Sequence, residues 1–373
     1  MTTFSLFDKS SKFDGIYAFF IVNRFQMLYL FFLMPTYLLH PFMIWGIVAM
    51  AIFSQLNIRL LCKWLESNYA KKGYQGFVEL FGVRMVRLLT FIGLILILIK
   101  ITVITLGYLE VIHDFIFPSM NSNWIIFFIL LTSSYVASLG MKNTIRFVVI
   151  VFLCVFWIIF LYYPFFIPPI AALHDLYPLI PTNWTTDSWK GLLLIWSSYS
   201  GPEYLICLIP WIKPQQKMSK YLTYANALST SEYLLLFIAS LFFFGSNYLS
   251  KSKYPIIHMI RYLQSPMFER LDIILISLHM FLLVFAISIF LLCIYGATRI
   301  ILKKTSTQPS RMGFTVTCIM LFLCFVIVNN WIWSIETEQN ILLNIQIWLS
   351  GITYFIVPTF LLLLTKLKGR VKA

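Results

Sequence analysis

Apolar residues fall in long runs along this chain, and polar residues gather in short segments between them. A helix that crosses a bilayer needs about 20 consecutive apolar residues. On that criterion ten spans are predicted, at roughly 13–34, 41–62, 88–110, 122–141, 146–166, 190–211, 221–245, 271–301, 312–333 and 341–364. Only Lys142, Asn143 and Thr144 separate the fourth span from the fifth. Two connections are more than loops. Tyr74 to Arg87 sets Phe77, Leu80, Phe81 and Val83 against Glu79, Arg84 and Arg87 at helical spacing, which predicts an interfacial helix. Ser246 to Leu271 has Pro255 and Pro266 as breakers and a predicted short helix from Ile256 to Leu263.

One run departs from the pattern. Between Lys190 and Trp211 the apolar flanks Leu192–Trp196 and Tyr204–Ile209 enclose Ser197-Ser198-Tyr199-Ser200-Gly201-Pro202-Glu203. This polar break falls at membrane depth, where irregular backbone survives only against protein or a wet cavity. Ser197 to Gly201 is therefore a candidate ligand-binding stretch. Ser200-Gly201-Pro202-Glu203 also has the form of a capping box with Pro in the first turn, so Glu203 has a structural reading as the cap of a helix that restarts in mid-membrane. Such a restart points the positive end of a helix dipole at the cavity, as half-helices do in transporters that hold anionic groups.

Composition fixes the class. A hydrophobic fraction of 60%, a charged fraction of 11% and a mean hydropathy of +0.85 exclude a soluble globular domain, in which about a quarter of residues are charged. The 28 Lys and Arg against 14 Asp and Glu form no continuous basic face, so nucleic acid is not an expected partner. They read as topology signals. Lys9, Lys12, Arg59, Lys63, Lys71, Lys72, Arg84, Arg87, Lys142, Arg146, Lys213, Lys217, Lys220, Arg299, Lys303, Lys304, Arg311, Lys366, Lys368, Arg370 and Lys372 fall on one side of the ten-span arrangement. The other side holds Lys190, Lys251, Lys253, Arg261 and Arg270 with Asp114, Asp175, Asp187, Glu336 and Glu338. The positive-inside bias makes the first side cytoplasmic and places both termini there. Asp8, Lys9 and Lys12 precede the first run with no small-residue cleavage site, which predicts an uncleaved first span.

Charges inside spans are costly, at least about 2.5 kcal/mol each on the lenient insertion scale. Counted from the span starts at 1.5 Å per residue, Arg24, Lys100, Glu203 and Glu232 all lie roughly 16–20 Å deep, near the midplane. Two cations and two anions at one depth imply pairing within the bundle, although the sequence leaves open which meets which. A structural ion pair and a ligand role stand side by side for Lys100 and Glu232. Arg24, flanked by Asn23 and Gln26, is the stronger candidate for binding. His279 in the eighth span is read as a hydrogen-bonded core residue, and His113-Asp114 and His174-Asp175 make no metal site. The cysteines Cys62, Cys154, Cys207, Cys293, Cys318 and Cys324 have no metal or redox spacing and read as buried thiols. No phosphate-binding loop, nucleophile elbow, zinc spacing or catalytic carboxylate pair occurs, so neither an enzyme nor a cofactor is expected.

These residues bring a family into view. The chain resembles the B subunits of bacterial spore germinant receptors, spore germination permeases in the amino acid-polyamine-organocation transporter superfamily. The resemblance covers nearly the whole length. It is carried by Ser200-Gly201-Pro202-Glu203 running on to Pro210 and Lys213-Pro214, by Tyr254-Pro255, by Phe268-Glu269-Arg270-Leu271-Asp272, and by Leu176-Tyr177-Pro178-Leu179-Ile180. It implies an all-α integral membrane protein of about ten transmembrane helices in a five-plus-five inverted repeat, LeuT-like, with discontinuous first and sixth helices. The single transmembrane domain, 1–373, would comprise repeats at about 13–166 and 190–364. The first span, however, has no Gly or Pro between Ile16 and Met34.

The resemblance further implies a place in the inner membrane of the spore, an A subunit and a lipoprotein C subunit as partners, and a small nutrient ligand, usually an amino acid. The ligand would sit between the first, third, sixth and eighth spans. The candidate ligand residues are then Asn23, Arg24, Gln26, Lys100, Ser197, Ser198, Tyr199, Ser200 and Gly201, with Pro202, Glu203, Glu232 and His279 as structural or coupling residues. Two departures bear on this. Gln26 is followed by Met27, Leu28, Tyr29 and Leu30 where the family usually places a Gly, so side chains crowd that spot. The fifth span, Arg146 to Phe166, has no Lys inside its apolar run, which weighs against proton-coupled transport. A sensing subunit leads, a secondary transporter of amino acids is its main rival, and a membrane-embedded enzyme using His279, His113 or His174 ranks last, since no nucleophile and base share a recognisable spacing.

Overall fold

The first helix, α1 (Gly15–Tyr37), carries apolar residues around its whole circumference and runs unbroken past the buried Asn23, Arg24 and Gln26. This corrects the expectation of a discontinuous first helix. With no Gly or Pro in its central turns, nothing there removes a donor from the backbone ladder, and the polar side chains are satisfied sideways. The computed structural model describes residues 6–9, 12–38, 40–168, 170–180, 184–213, 217–249, 251–263, 270–305, 307–333 and 341–371. Pro214, Pro266, Phe268, Glu269, Glu336, Glu338 and Lys372, invoked in the sequence analysis, lie outside them.

The order continues with α2 (Met43–Leu65), α3 (Asn68–Lys71), α4 (Tyr74–Phe81), α5 (Val83–Phe115), α6 (Ser122–Ser138) and α7 (Met141–Phe156), the last prolonged by tighter turns to Phe166. The second half has α8 (Thr186–Ser198), α9 (Leu205–Leu208), α10 (Met218–Leu249), α11 (Pro255–Tyr262), α12 (Leu271–Ile301), α13 (Arg311–Val328) and α14 (Ile341–Val371). Eight helical segments among the described residues are long and apolar enough to cross a membrane. The shorter apolar helix α6 and the 23-residue α1 accompany them. Among the described residues the only strand-like pairing is an isolated bridge between Phe13 and Ile212.

Local chemistry sets the element ends. The predicted interfacial helix stops at Phe81 rather than Arg87, because Gly82 adopts a φ of 80° that turns the chain into α5. Val83, Arg84 and Arg87 therefore belong to α5. Gly245, at φ 66°, kinks α10, and a side chain there would meet the Asp175 carboxylate at 3.1 Å. Ser310 caps α13 by accepting the Gly313 N–H at 3.1 Å.

Packing places two helices at the centre. α12 is buried along most of its length, and α1 lies against α10, α7 and α8. The chain entering α1 is fastened to the far end of the broken sixth span: Phe13 N–H donates to the Trp211 carbonyl at 2.7 Å and Lys213 N–H to the Phe13 carbonyl at 2.9 Å. Trp211 Nε1 also donates to the Asp8 carbonyl at 2.7 Å. Whatever moves the end of the sixth span thus pulls on the start of the first.

Candidate functional site

The sixth span breaks where the sequence predicts. α8 ends at Ser198, Tyr199 to Gly201 are irregular, and the chain resumes through a tight turn at Pro202–Tyr204, one α-helical turn in α9 and a second tight turn at Ile209–Trp211. The restart is therefore shorter and less regular than a half-helix. Pro202 and Pro210 each lack the N–H that a continuous ladder would use. All residues from Ser197 to Glu203 are buried, so the break is sealed on every side.

The released backbone groups find side chains from other helices. The Tyr199 carbonyl accepts from Gln26 Nε2 at 3.1 Å, and the Ser198 carbonyl accepts from the Tyr233 hydroxyl at 3.0 Å. Tyr233 also contacts the Gln26 carbonyl at 2.6 Å, and Tyr199 Oη shares a hydrogen bond with Thr230 Oγ1 at 2.9 Å. Gln26 and Tyr233 thus clamp α1 and α10 to the break. Gly201 permits this closeness, since a Cβ there would stand 3.0 Å from Phe25 Cβ. Ser197 and Ser198 turn back and donate to the Leu194 carbonyl at 2.9 and 2.8 Å.

Glu203 caps the restart differently from a standard capping box. Its Oε2 accepts the Gly201 N–H at 2.7 Å, one residue later than Ser200, and Ser200 Oγ donates to Oε1 at 2.6 Å instead of accepting from the Glu203 backbone. Pro202 follows Gly201, which makes Gly201 the first residue outside the turn. The Ser200 hydroxyl is left free to accept Lys100 Nζ at 2.9 Å. Lys100 and Glu203 are consequently joined through one hydroxyl, with the Lys100 ammonium 4.5 Å from the centre of the Tyr204 ring.

A second ionic group lies on α1 and α10. Arg24 Nη2 meets Glu232 Oε1 at 2.7 Å, and both side chains are excluded from solvent. Asn23 ties the pair together: its amide donates to Glu232 Oε2 at 2.8 Å and to Ser229 Oγ at 2.9 Å, while its oxygen accepts Arg24 Nε at 2.9 Å. The Arg24 guanidinium lies 5.0 Å from the Phe152 ring centre. His279 is buried in α12 within electrostatic reach of Arg24. The pairing that the sequence left open is thus Arg24 with Glu232, and Lys100 with Glu203 by way of Ser200.

Three buried atoms on α1 and α5 have no hydrogen-bond partner among the described residues: Arg24 Nη1, Gln26 Oε1 and Thr105 Oγ1. A buried polar atom left so costs about 1–3 kcal/mol, which makes these atoms the natural contacts for a polar guest. Sequence reasoning passed over Tyr233, Ser229 and Thr230. Their signal was present as polar positions 226, 229, 230, 232 and 233 recurring on one face of an apolar span. Replacing Tyr233 with Phe removes the donor that the Ser198 and Gln26 carbonyls share. The expected cost is about 1–3 kcal/mol, read as a lower unfolding temperature of the purified protein with its membrane insertion unchanged.

Residues 42–339 match the protein family described as spore germination protein. The chain is also similar to the spore germination protein GerQB of Bacillus cereus, with 29% identity over 227 residues. That stretch spans 60% of this chain and 60% of the relative's own length.

Proposed function

The chain belongs to the spore germination protein family, and from that premise we propose that it is the membrane subunit of a spore germinant receptor, sensing a small nutrient at the broken sixth span. An amino acid is the ligand class that suits the site. An α-carboxylate needs donors and an α-ammonium needs acceptors, and the partnerless buried atoms of α1 include a guanidinium N–H, Arg24 Nη1, beside Glu232, and an amide oxygen, Gln26 Oε1, on the side chain that meets the break. The Tyr199 carbonyl lies beside Gln26, and Lys100 reaches the break through Ser200.

The reading extends to the whole chain. The eight long spans, with α1 and α6 added, make ten helices in a five-plus-five inverted repeat of LeuT type. Both termini face the cytoplasm, the protein resides in the spore's inner membrane, and A and C subunits receive the signal. Ligand binding at the sealed break favours one conformation over another, and the partners read the shift. The single observation that carries this is the meeting of α1, α5 and α10 side chains at Ser198 to Ser200, with Gln26 and Tyr233 on backbone carbonyls and Lys100 on the Ser200 hydroxyl.

The test is genetic. Spores lacking this chain are expected to lose germination toward particular amino acids while still responding to a non-nutrient trigger such as a calcium chelate of dipicolinic acid. Unchanged responses to a full amino-acid panel would overturn the assignment. The rival reading, a secondary transporter, draws on the same occluded ionic site, and it predicts net uptake by the chain alone.

A further inference from the structure

A second feature lies beside the break, on the outer side of the sixth span. A groove of about 640 Å³ opens on the outer surface of the bundle between α2, α8 and α14. Its walls hold five aromatic rings, Phe53, Trp189, Trp196, Trp348 and Phe355, on helices apolar enough to cross a membrane, so the groove faces lipid. Phe53, Trp189, Trp348 and Phe355 are each more than half exposed. One buried polar side chain interrupts the apolar lining. Asn57 is 4% exposed and donates through Nδ2 to the Tyr354 carbonyl at 2.6 Å, while its Oδ1 has no hydrogen-bond donor among the described residues. The other polar lining residue, Lys190, is held by Asp187 at 3.2 Å.

We propose that this groove binds a small aromatic hydrophobe that enters from the bilayer and carries one hydrogen-bond donor, a hydroxyl or ring N–H, for Asn57 Oδ1. Ring-lined walls favour an aromatic body, through offset and edge contacts. An unmet acceptor in apolar surroundings selects for a donor, because an isostere without one leaves that oxygen desolvated and unpaired. The groove also touches the break. Trp196 directly precedes Ser197, donates its indole N–H to the Gly351 carbonyl at 2.9 Å, and packs against the Tyr354 ring at 4.8 Å. A guest against Trp196 holds α8 to α14 and opposes any rearrangement at Tyr199.

Two probes of equal ring size isolate the donor: tritiated 2-naphthol and tritiated 2-methoxynaphthalene, bound to the full chain in lipid nanodiscs. Saturable binding of naphthol is expected, about tenfold tighter than the ether, the size of one hydrogen bond to an otherwise unmet buried acceptor. Asn57→Leu is expected to erase that difference. Leu56→Trp, on the half-exposed lip of the groove, keeps the Asn57–Tyr354 bond and is expected to abolish saturable binding of both probes. Non-saturable partitioning that is equal for both probes would overturn the proposal, as would naphthol binding unchanged in Leu56→Trp.

Discussion

Arg24→Met is expected to be the most damaging single substitution in the protein. It strands the Glu232 carboxylate in a place excluded from solvent, where among the described residues Asn23 alone still donates to it. Removing one partner of a buried ion pair costs about 3–5 kcal/mol, because the other charge stays desolvated and unpaired. The purified variant should unfold at markedly lower temperature, and spores carrying it should be unresponsive to nutrients. Arg146→Met, at the start of α7, should be mild by comparison. The double variant Arg24→Met with Glu232→Gln separates stability from function. It should recover most of the lost thermal stability, since no lone charge remains, yet stay unresponsive if Arg24 Nη1 is a ligand contact. Full recovery of both would reduce the pair to a structural brace.

The second large effect is expected at the break itself. Replacing Gly201 and Pro202 together with Ala restores the missing N–H at 202 and adds a methyl group 3.0 Å from Phe25 Cβ. Both changes favour a continuous sixth helix. A continuous helix would withdraw the Tyr199 carbonyl from Gln26 and the Ser198 carbonyl from Tyr233, and would separate Ser200 from Lys100. The variant should insert and accumulate normally while losing nutrient response entirely. Normal germination by this variant would show that the break is dispensable.

How far the sequence spoke depended on the distance over which each feature is decided. The break was legible because Gly201 and Pro202 act locally on the backbone and the apolar flanks place them at membrane depth. Span positions were legible for the same reason, and α12 begins and ends where hydropathy alone puts it. The unbroken α1 follows from the lack of Gly and Pro between Ile16 and Met34, and the resemblance had suggested otherwise. The short α4 turned on a positive φ at Gly82, a conformational choice that charge spacing does not reveal.

The pairing of charges was out of reach because its partners are far apart in the chain. Arg24 and Glu232 are 208 positions apart, and Lys100 and Ser200 are 100 apart, so only the packed bundle decides who meets whom. Glu203 shows a subtler limit. Its motif correctly announced a cap, but with Lys100 donating to Ser200, that serine hydroxyl turned toward the carboxylate and the carboxylate took the Gly201 N–H. A local motif was rewritten by one long-range hydrogen bond.

The central claim is that the sealed break binds an amino acid in order to signal, and does not carry it across the membrane. Proteoliposomes containing the full chain alone, given a tritiated mixture of amino acids, test this directly. Saturable binding is expected to reach a plateau near one ligand per chain and to disappear in the Gly201→Ala, Pro202→Ala variant, with no accumulation in the lumen. Time-dependent accumulation above that plateau, or binding indifferent to the variant, would contradict the claim.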